Sequence, residues 1–219
     1  MQFCIILQII LTGRARFRNS IFSEYTNMES LINYISSLRS LTTEEKAIVT
    51  AHFQTGHFKE GEYIFTGGHV CNKLFFIVTG IIRMVAINNK GVEMTHYFVG
   101  ENHFCTNLAS FINGTIAEDG IQCCCPAEVL TIPKSRLLDL YAKLPFMEGL
   151  IDKVHQLQLL EKIRLMNVYS GEGSAGRYRL FLREQPEIAG RVPLSHVATY
   201  LSITPQSLSR IRRQLKSKR

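Results

Sequence analysis

The sequence predicts an α+β protein with a rolled antiparallel β-domain, one long helix and a C-terminal helix-turn-helix domain. Three observations support this fold class. Short apolar runs separated by glycine and polar turns occupy the first half, a helical apolar period covers residues 145–168, and a capped pair of short helices precedes the C-terminus. Many short strands at roughly ten-residue spacing are typical of a closed or rolled antiparallel β-domain.

The first elements follow in order from Met28. Leu31, Ile32, Ile35 and Leu38 have the spacing of one amphipathic helix. A second helix is predicted to begin at the segment Thr42-Thr43-Glu44-Glu45, which has the pattern of a capping box. After Gly56 the period becomes strand-like, and the predicted strands lie at residues 63–65, 74–78, 81–82, 84–87, 97–99 and 129–132.

The N-terminal segment fits none of these patterns. Its apolar run at residues 3–11 is too short to span a membrane, and its arginines follow that run, whereas a signal peptide has basic residues before it. We therefore expect an extension over 1–27, a β-domain over 28–144, a long helix over 145–168 and a helix-turn-helix domain over 169–219. A short membrane-associating tail is the alternative for the extension, and a chain that starts at Met28 is expected to fold.

The C-terminal segment concentrates the charge of the chain. The net charge is +7, and six of the 25 basic residues lie in the last ten positions without any acid. A basic cluster confined to one segment is typical of a protein that binds a polyanion. The residues before it predict that the cluster belongs to an ordered element and not to a solvated tail.

The pattern from Leu194 onwards is helix, tight turn, helix. Val197, Ala198 and Leu201 form one apolar face, and Thr204 and Pro205 suit the N-cap and first position of a second helix. Leu208, Ile211 and Leu215 would bury one side of that helix and leave its polar side for the major groove of DNA. The predicted DNA-binding residues are Thr204, Gln206, Ser207, Arg210, Arg213, Gln214 and Lys216.

The long helix is apolar on two sides, so each side should be buried against a separate packing partner. One side would pack on the β-domain and the other on a second subunit. We place Leu150, Val154 and Leu157 at the interface of a homodimer.

Composition narrows the function classes. The chain has no apolar run long enough for a spanning helix, and its six cysteines include no CxxC pair, so a cytoplasmic protein with reduced cysteines is expected. The cysteines are too scattered for an iron–sulfur sensor, and the histidines lack the spacing of a metal-dependent enzyme barrel. We predict no enzyme activity, no cofactor and no metal. A redox switch at Cys105 or within Cys123–Cys125 remains open.

Together these elements resemble the Crp/Fnr superfamily of bacterial transcription regulators over roughly residues 31–215. The resemblance rests on Lys59-Glu-Gly-Glu-Tyr-Ile-Phe65, Leu74-Phe-Phe-Ile-Val-Thr-Gly80, Gly100-Glu101 and the helix-turn-helix segment. It implies a jelly-roll domain of the cyclic-nucleotide-binding type, a homodimer on double-stranded DNA, and Gln206 and Arg210 as base-contacting residues.

The resemblance also implies an effector pocket. Gly100-Glu101 matches a Gly-Glu pair of the family, but Ala117-Glu118 stands where an Arg-Ser pair would hold the cyclic phosphate. A buried phosphate needs a cationic partner, and an acidic pair would repel it. We therefore predict a transcriptional regulator with an unknown small-molecule effector other than cyclic AMP. The alternative is a ligand-sensing or scaffold protein that binds nucleic acid without sequence preference.

Overall fold

The computed structural model describes residues 27–89 and 91–216. Helix α1 occupies residues 27–38, and α2 (Thr43–His52) begins at the predicted capping box, in which Thr42 accepts from the Glu45 amide at 3.2 Å and the Glu45 carboxylate accepts from the Thr42 amide at 2.8 Å. Most of the predicted extension lies outside the described residues. Its last member, Asn27, is helical and only 2% exposed, so this residue belongs to the folded domain.

Ten strands form the β-roll. Two four-stranded sheets, in the orders β1-β10-β4-β7 and β2-β9-β5-β6, are accompanied by the two-stranded pair β3-β8, and every pairing is antiparallel. The strands are β1 (Gln54–Phe58), β2 (Tyr63–Phe65), β3 (His69–Val70), β4 (Lys73–Thr79), β5 (Ile82–Ile87), β6 (Glu93–Val99), β7 (His103–Cys105), β8 (Ile116–Ala117), β9 (Gly120–Cys123) and β10 (Ala127–Pro133).

The sheet that contains β4 is covered on both faces, which explains the unbroken apolar run of that strand. Successive side chains of a strand point to opposite faces. Phe75 and Ile77 therefore pack into the space between the sheets, while Leu74 and Phe76 pack against helices on the outside. Because all four side chains are buried, this strand is apolar throughout instead of alternating.

Helices connect the roll to the C-terminal domain. After α3 (Leu108–Asn113), α4 (Lys134–Lys143) packs on the roll and leads into α5 (Phe146–Tyr169), which lies within one residue of the predicted 145–168. The C-terminal domain contains α6 (Ser174–Glu184), α7 (Pro186–Ala189), α8 (Leu194–Tyr200) and α9 (Pro205–Lys216). Within the described part of the chain, no helix is long and apolar enough to cross a membrane.

The core of the C-terminal domain is continuous with the edge of the roll. Phe181, Val197, Leu208 and Ile211 are buried in one cluster with Phe98 of β6. The C-terminal domain is therefore packed directly against the β-roll of its own chain.

Candidate DNA-binding surface and effector cleft

The helix-turn-helix has the geometry that its sequence predicts. The Thr204 hydroxyl accepts from the amide of Ser207 at 3.2 Å, which caps α9, and Pro205 is the first residue of that helix. The turn passes through Ser202 at a positive φ of 54° and brings Ile203 into the domain core. Local residues thus define both the start of α9 and the turn that joins it to α8.

The outer face of α9 is formed by Gln206, Arg210, Arg213 and Gln214, whose side chains are all exposed. Leu208 and Ile211 are buried on the opposite side, so the helix presents its amide and guanidinium groups to solvent. Ser207 is half-buried, and its hydroxyl receives a hydrogen bond from Thr204 at 3.0 Å. The side chain of Lys216, also predicted to bind DNA, lies outside the described residues, as do residues 217–219.

The first helix of the motif, α8, is docked on strand β6. The backbone amide of Thr95 donates to the Thr199 hydroxyl at 3.2 Å, and the rings of Phe98 and Tyr200 meet edge-on with centroids 5.0 Å apart. Gln185 donates to the Tyr200 hydroxyl at 3.0 Å. Local sequence patterns do not predict the contact between α8 and β6, because it joins residues about a hundred positions apart.

A buried polar network lies beneath α8. Arg83 donates to Gln122 at 2.8 Å, to Thr95 at 3.1 Å and to the carboxylate of Glu93. Burial and the nearby Arg83 charge lower the pKa of His196 to about 4, so this histidine of α8 is neutral at pH 7. The neutral His196 of α8 therefore places no second positive charge beside Arg83.

The Glu101 side chain, predicted for the effector pocket, bonds within its own chain. Gly100-Glu101 lies in the turn between β6 and β7, where the Glu101 carboxylate accepts from the Gly80 amide at 2.8 Å and from Arg191 at 2.6 Å. Burial alone would raise the pKa of Glu101, but these donors outweigh it and hold the pKa below its usual range. The Glu101 carboxylate therefore links the turn of the roll at Gly80 to Arg191 of the C-terminal domain.

Gly80 has to be glycine for this link to form. Its φ is +96°, and a Cβ at this position would lie 2.7 Å from the Pro126 carbonyl oxygen. The turn between β4 and β5 can therefore present its amide to Glu101 only without a side chain.

A cleft of 910 Å³ lies between β6, β7, α5 and the C-terminal domain. Its walls include Gly100 but not Glu101, Ala117 or Glu118, so three of the four residues predicted for the effector pocket lie outside it. Ala117 is buried in β8, and Glu118 is exposed. Much of the wall is apolar or aromatic, with contributions from Phe98, Val99, Leu159, Leu165, Met166, Tyr169, Ile188 and Tyr200.

The cleft also contains basic side chains that the sequence analysis did not single out, among them Lys162, Arg177 and His155. The Lys162 ammonium lies 4.0 Å from the centroid of the Tyr97 ring, and burial lowers its pKa despite the nearby Asp119. The Arg177 Nε and the His155 Nε2 are buried without a hydrogen-bond partner among the described residues. Helical spacing gives no sign of this convergence, since it depends on how α5 and α6 pack.

The two apolar sides of α5 are distributed differently from the prediction. Val154 is only 2% exposed and packs in the core of its own chain, and Leu150 packs against the same core. Leu157 is 52% exposed. The opposite side carries a contiguous set of exposed apolar residues, Leu159, Leu160, Ile163 and Met166, which we call the apolar face of α5. The placement of Val154 at a subunit interface is therefore wrong, because the intrachain core already buries it.

Three of the four cysteines considered for a redox switch give it little support, whereas Cys125 is only partly buried. Cys105, Cys123 and Cys124 are fully buried, and burial raises the pKa of each thiol, to about 12 for Cys123 and Cys124. Because the thiolate is the reactive form, these three groups are poor nucleophiles. Among the residues that the structure describes, no group of three His, Cys, Asp or Glu side chains is arranged to hold a metal ion.

Comparison with known proteins identifies the class of the β-roll. Residues 55–143 match the family model of the cyclic nucleotide-binding domain. No curated protein gives a significant sequence match to the chain.

Solved structures extend the similarity to the whole architecture. The c-di-GMP responsive global regulator CLP of Xanthomonas campestris has a TM-score of 0.65 at 17% identity, with 81% of this chain and 93% of that chain covered. A Crp/Fnr family protein from Eubacterium rectale has a TM-score of 0.66 at 19% identity, with 85% of this chain and 88% of that chain covered. FixK2 from Bradyrhizobium japonicum has a TM-score of 0.64 at 16% identity, with 76% of this chain and 85% of that chain covered.

These similarities confirm the predicted architecture. The chain has the fold of the Crp/Fnr regulators, in which a β-roll of the cyclic nucleotide-binding family is followed by a long helix and a C-terminal helix-turn-helix domain.

Proposed function

We propose that this protein is a cytoplasmic, sequence-specific DNA-binding transcriptional regulator that acts as a homodimer. The observation that supports this most directly is the outer face of α9. It presents Gln206, Arg210 and Arg213 on a helix that is capped at Thr204 and packed through Leu208 and Ile211. Gln suits adenine and Arg suits guanine in the major groove, so this face combines base recognition with positive charge.

The homodimer is supported by the apolar face of α5. Leu159, Leu160, Ile163 and Met166 are between 46% and 62% exposed, although they are large and adjacent on one helix. A contiguous apolar patch of this kind is typical of a protein–protein contact. A second copy of α5 would bury both faces and place two α9 helices about a two-fold axis, as symmetric DNA sites require.

The role is regulatory, and the cyclic nucleotide-binding family of the roll favours a small-molecule effector. We propose that this effector is not cyclic AMP. Ala117 and Glu118 offer no cation for its phosphate at the position that the family resemblance indicates.

The test is selection of bound sequences from random double-stranded DNA with the full chain, with and without cell extract. We expect enrichment of a two-fold symmetric motif whose half-sites are about one helical turn apart. Binding that depends on salt but enriches no sequence would contradict the proposal. It would favour a ligand-sensing or scaffold protein with non-specific nucleic-acid affinity.

A further inference from the structure

We propose that the cleft between the β-roll, α5 and the DNA-binding domain binds an organic anion with an apolar body, held by Arg177 and Lys162. This inference extends the effector part of the proposed function. It concerns a site that involves neither Glu101 nor the Ala117-Glu118 segment, and its test needs no DNA.

The cationic side of the site comes from two helices. Arg177 on α6 lines the cleft with a buried Nε that has no partner among the described residues. Lys162 on α5 lines the same cleft and lies over the Tyr97 ring. Buried polar groups are hydrogen-bonded in nearly all structures, so the unpaired guanidinium nitrogen calls for a hydrogen-bond acceptor, and an anionic acceptor would also suit the Lys162 ammonium of the same cleft.

The acids near the cleft leave Arg177 uncompensated. Glu161 lines the cleft, but Arg164 binds its carboxylate through two contacts of 2.8 Å. Asp119 lies near Lys162 and offsets part of the Lys162 charge. Arg177 has no ion pair with any described acid. The cleft therefore retains positive charge.

The remaining walls define the body of the ligand. They combine apolar and aromatic side chains of β6, α5 and α8, including Phe98, Leu165 and Tyr200, with polar ones such as Gln158. The apolar part of these walls favours a ligand with an apolar body, because its burial removes apolar surface from water. The volume of 910 Å³ is in the range of small-molecule sites. A hydrophobic organic acid fits these walls better than a sugar phosphate does.

The site also has a means of regulating DNA binding. Thr199, Tyr200, Leu201 and Ser202 border the cleft, and they belong to α8 and to the turn that leads into α9. A bound anion would contact the roll, the long helix and the helix-turn-helix together. Its binding energy would thus depend on how the DNA-binding domain is docked.

The experiment uses a matched pair of fluorescent probes on the full chain. The first, 8-anilinonaphthalene-1-sulfonate, has an apolar body and one anionic group, and N-phenyl-1-naphthylamine has the same rings without the sulfonate. We expect saturable binding of the sulfonate with an affinity about tenfold above that of the neutral probe, the scale of one charge-assisted hydrogen bond.

Substitutions locate the binding. Arg177→Gln should weaken the sulfonate about tenfold and leave the neutral probe unchanged. Arg179→Gln is the matched control, because Arg179 is exposed on the same helix and the change removes the same charge. Lys162→Gln, with exposed Lys153→Gln as its control, tests the second cation, so a folding defect in one variant does not prevent the test.

Two results would overturn the inference. Equal effects of Arg177→Gln and Arg179→Gln on sulfonate affinity would mean that only overall charge matters. Displacement of the sulfonate by cyclic AMP would assign the cleft to a nucleotide and refute the apolar ligand class. Loss of the sulfonate preference alone would leave the DNA-binding proposal intact, since that proposal rests on α9.

Discussion

Replacing Arg210 with alanine tests the outer face of α9 directly. The Arg210 side chain is exposed, makes no ion pair within the described chain, and lies opposite the buried Leu208 and Ile211. Its removal should therefore change the free energy of unfolding by no more than about 0.5 kcal/mol. Any larger effect on DNA affinity must then come from lost contacts with DNA.

The expected loss follows from the symmetry of the complex. A bidentate arginine–guanine contact is worth about 1–3 kcal/mol of discrimination. A two-fold site contains two such contacts, so the loss is about 2–6 kcal/mol, or at least roughly thirtyfold in affinity. Non-specific DNA should lose much less, because at most one phosphate contact per subunit is removed.

The assay is fluorescence anisotropy with a selected duplex and a scrambled duplex, each over a range of salt concentrations. Arg179→Ala is the matched control, since Arg179 is an exposed arginine on α6, outside the helix-turn-helix. Lys216→Ala should instead weaken both duplexes equally and reduce the salt slope by about one unit per lost contact. Equal weakening of both duplexes by Arg210→Ala would refute base contact by this face.

Three further predictions concern the rest of the chain. Ile163→Glu should give folded monomers by light scattering, because Ile163 is 46% exposed and the charge would lie in the proposed interface. Val154→Glu should instead unfold the subunit, because Val154 is buried in its own chain. A dimeric Ile163→Glu variant would place the interface elsewhere. Cyclic AMP and cyclic GMP should give no saturable micromolar binding in calorimetry, because Glu118 would repel the phosphate. Saturable binding would refute the assignment of Ala117 and Glu118 to the phosphate-binding position. Deleting residues 1–26 while keeping the buried Asn27 should leave the melting temperature unchanged, and a fall of several degrees would contradict the extension.

The elements that sequence could predict are those governed by local interactions. Thr204, Pro205 and the spacing of Leu208 and Ile211 define α9 without reference to the rest of the fold, and Thr42 and Glu45 define the start of α2 in the same way. Strand β4 was equally clear, because burial on both faces makes its sequence apolar throughout. In these segments every signal lies within a few residues, so the pattern is enough.

Elements whose signal lies in a distant partner were missed. Strand β1 has the sequence Gln-Thr-Gly-His-Phe, without a clear alternation, and its pairing with β10 makes it a strand. The two apolar sides of α5 were evident, but the sequence could not say which side the chain itself buries. Packing against the roll decided that Val154 is internal and Ile163 external.

The sequence by itself thus determined the order of the elements and the chemistry of the outer face of α9, because capping, helical period and charge are properties of short segments. Only the tertiary structure determined where the cleft lies and which side chains line it. Lys162 and Arg177 come from different helices and meet the β6 wall only after the C-terminal domain docks on the roll. The same docking brings Glu101 into a hydrogen bond with Arg191, which lies 90 positions away in the chain. Contacts over such separations depend on packing geometry, which local sequence patterns do not encode.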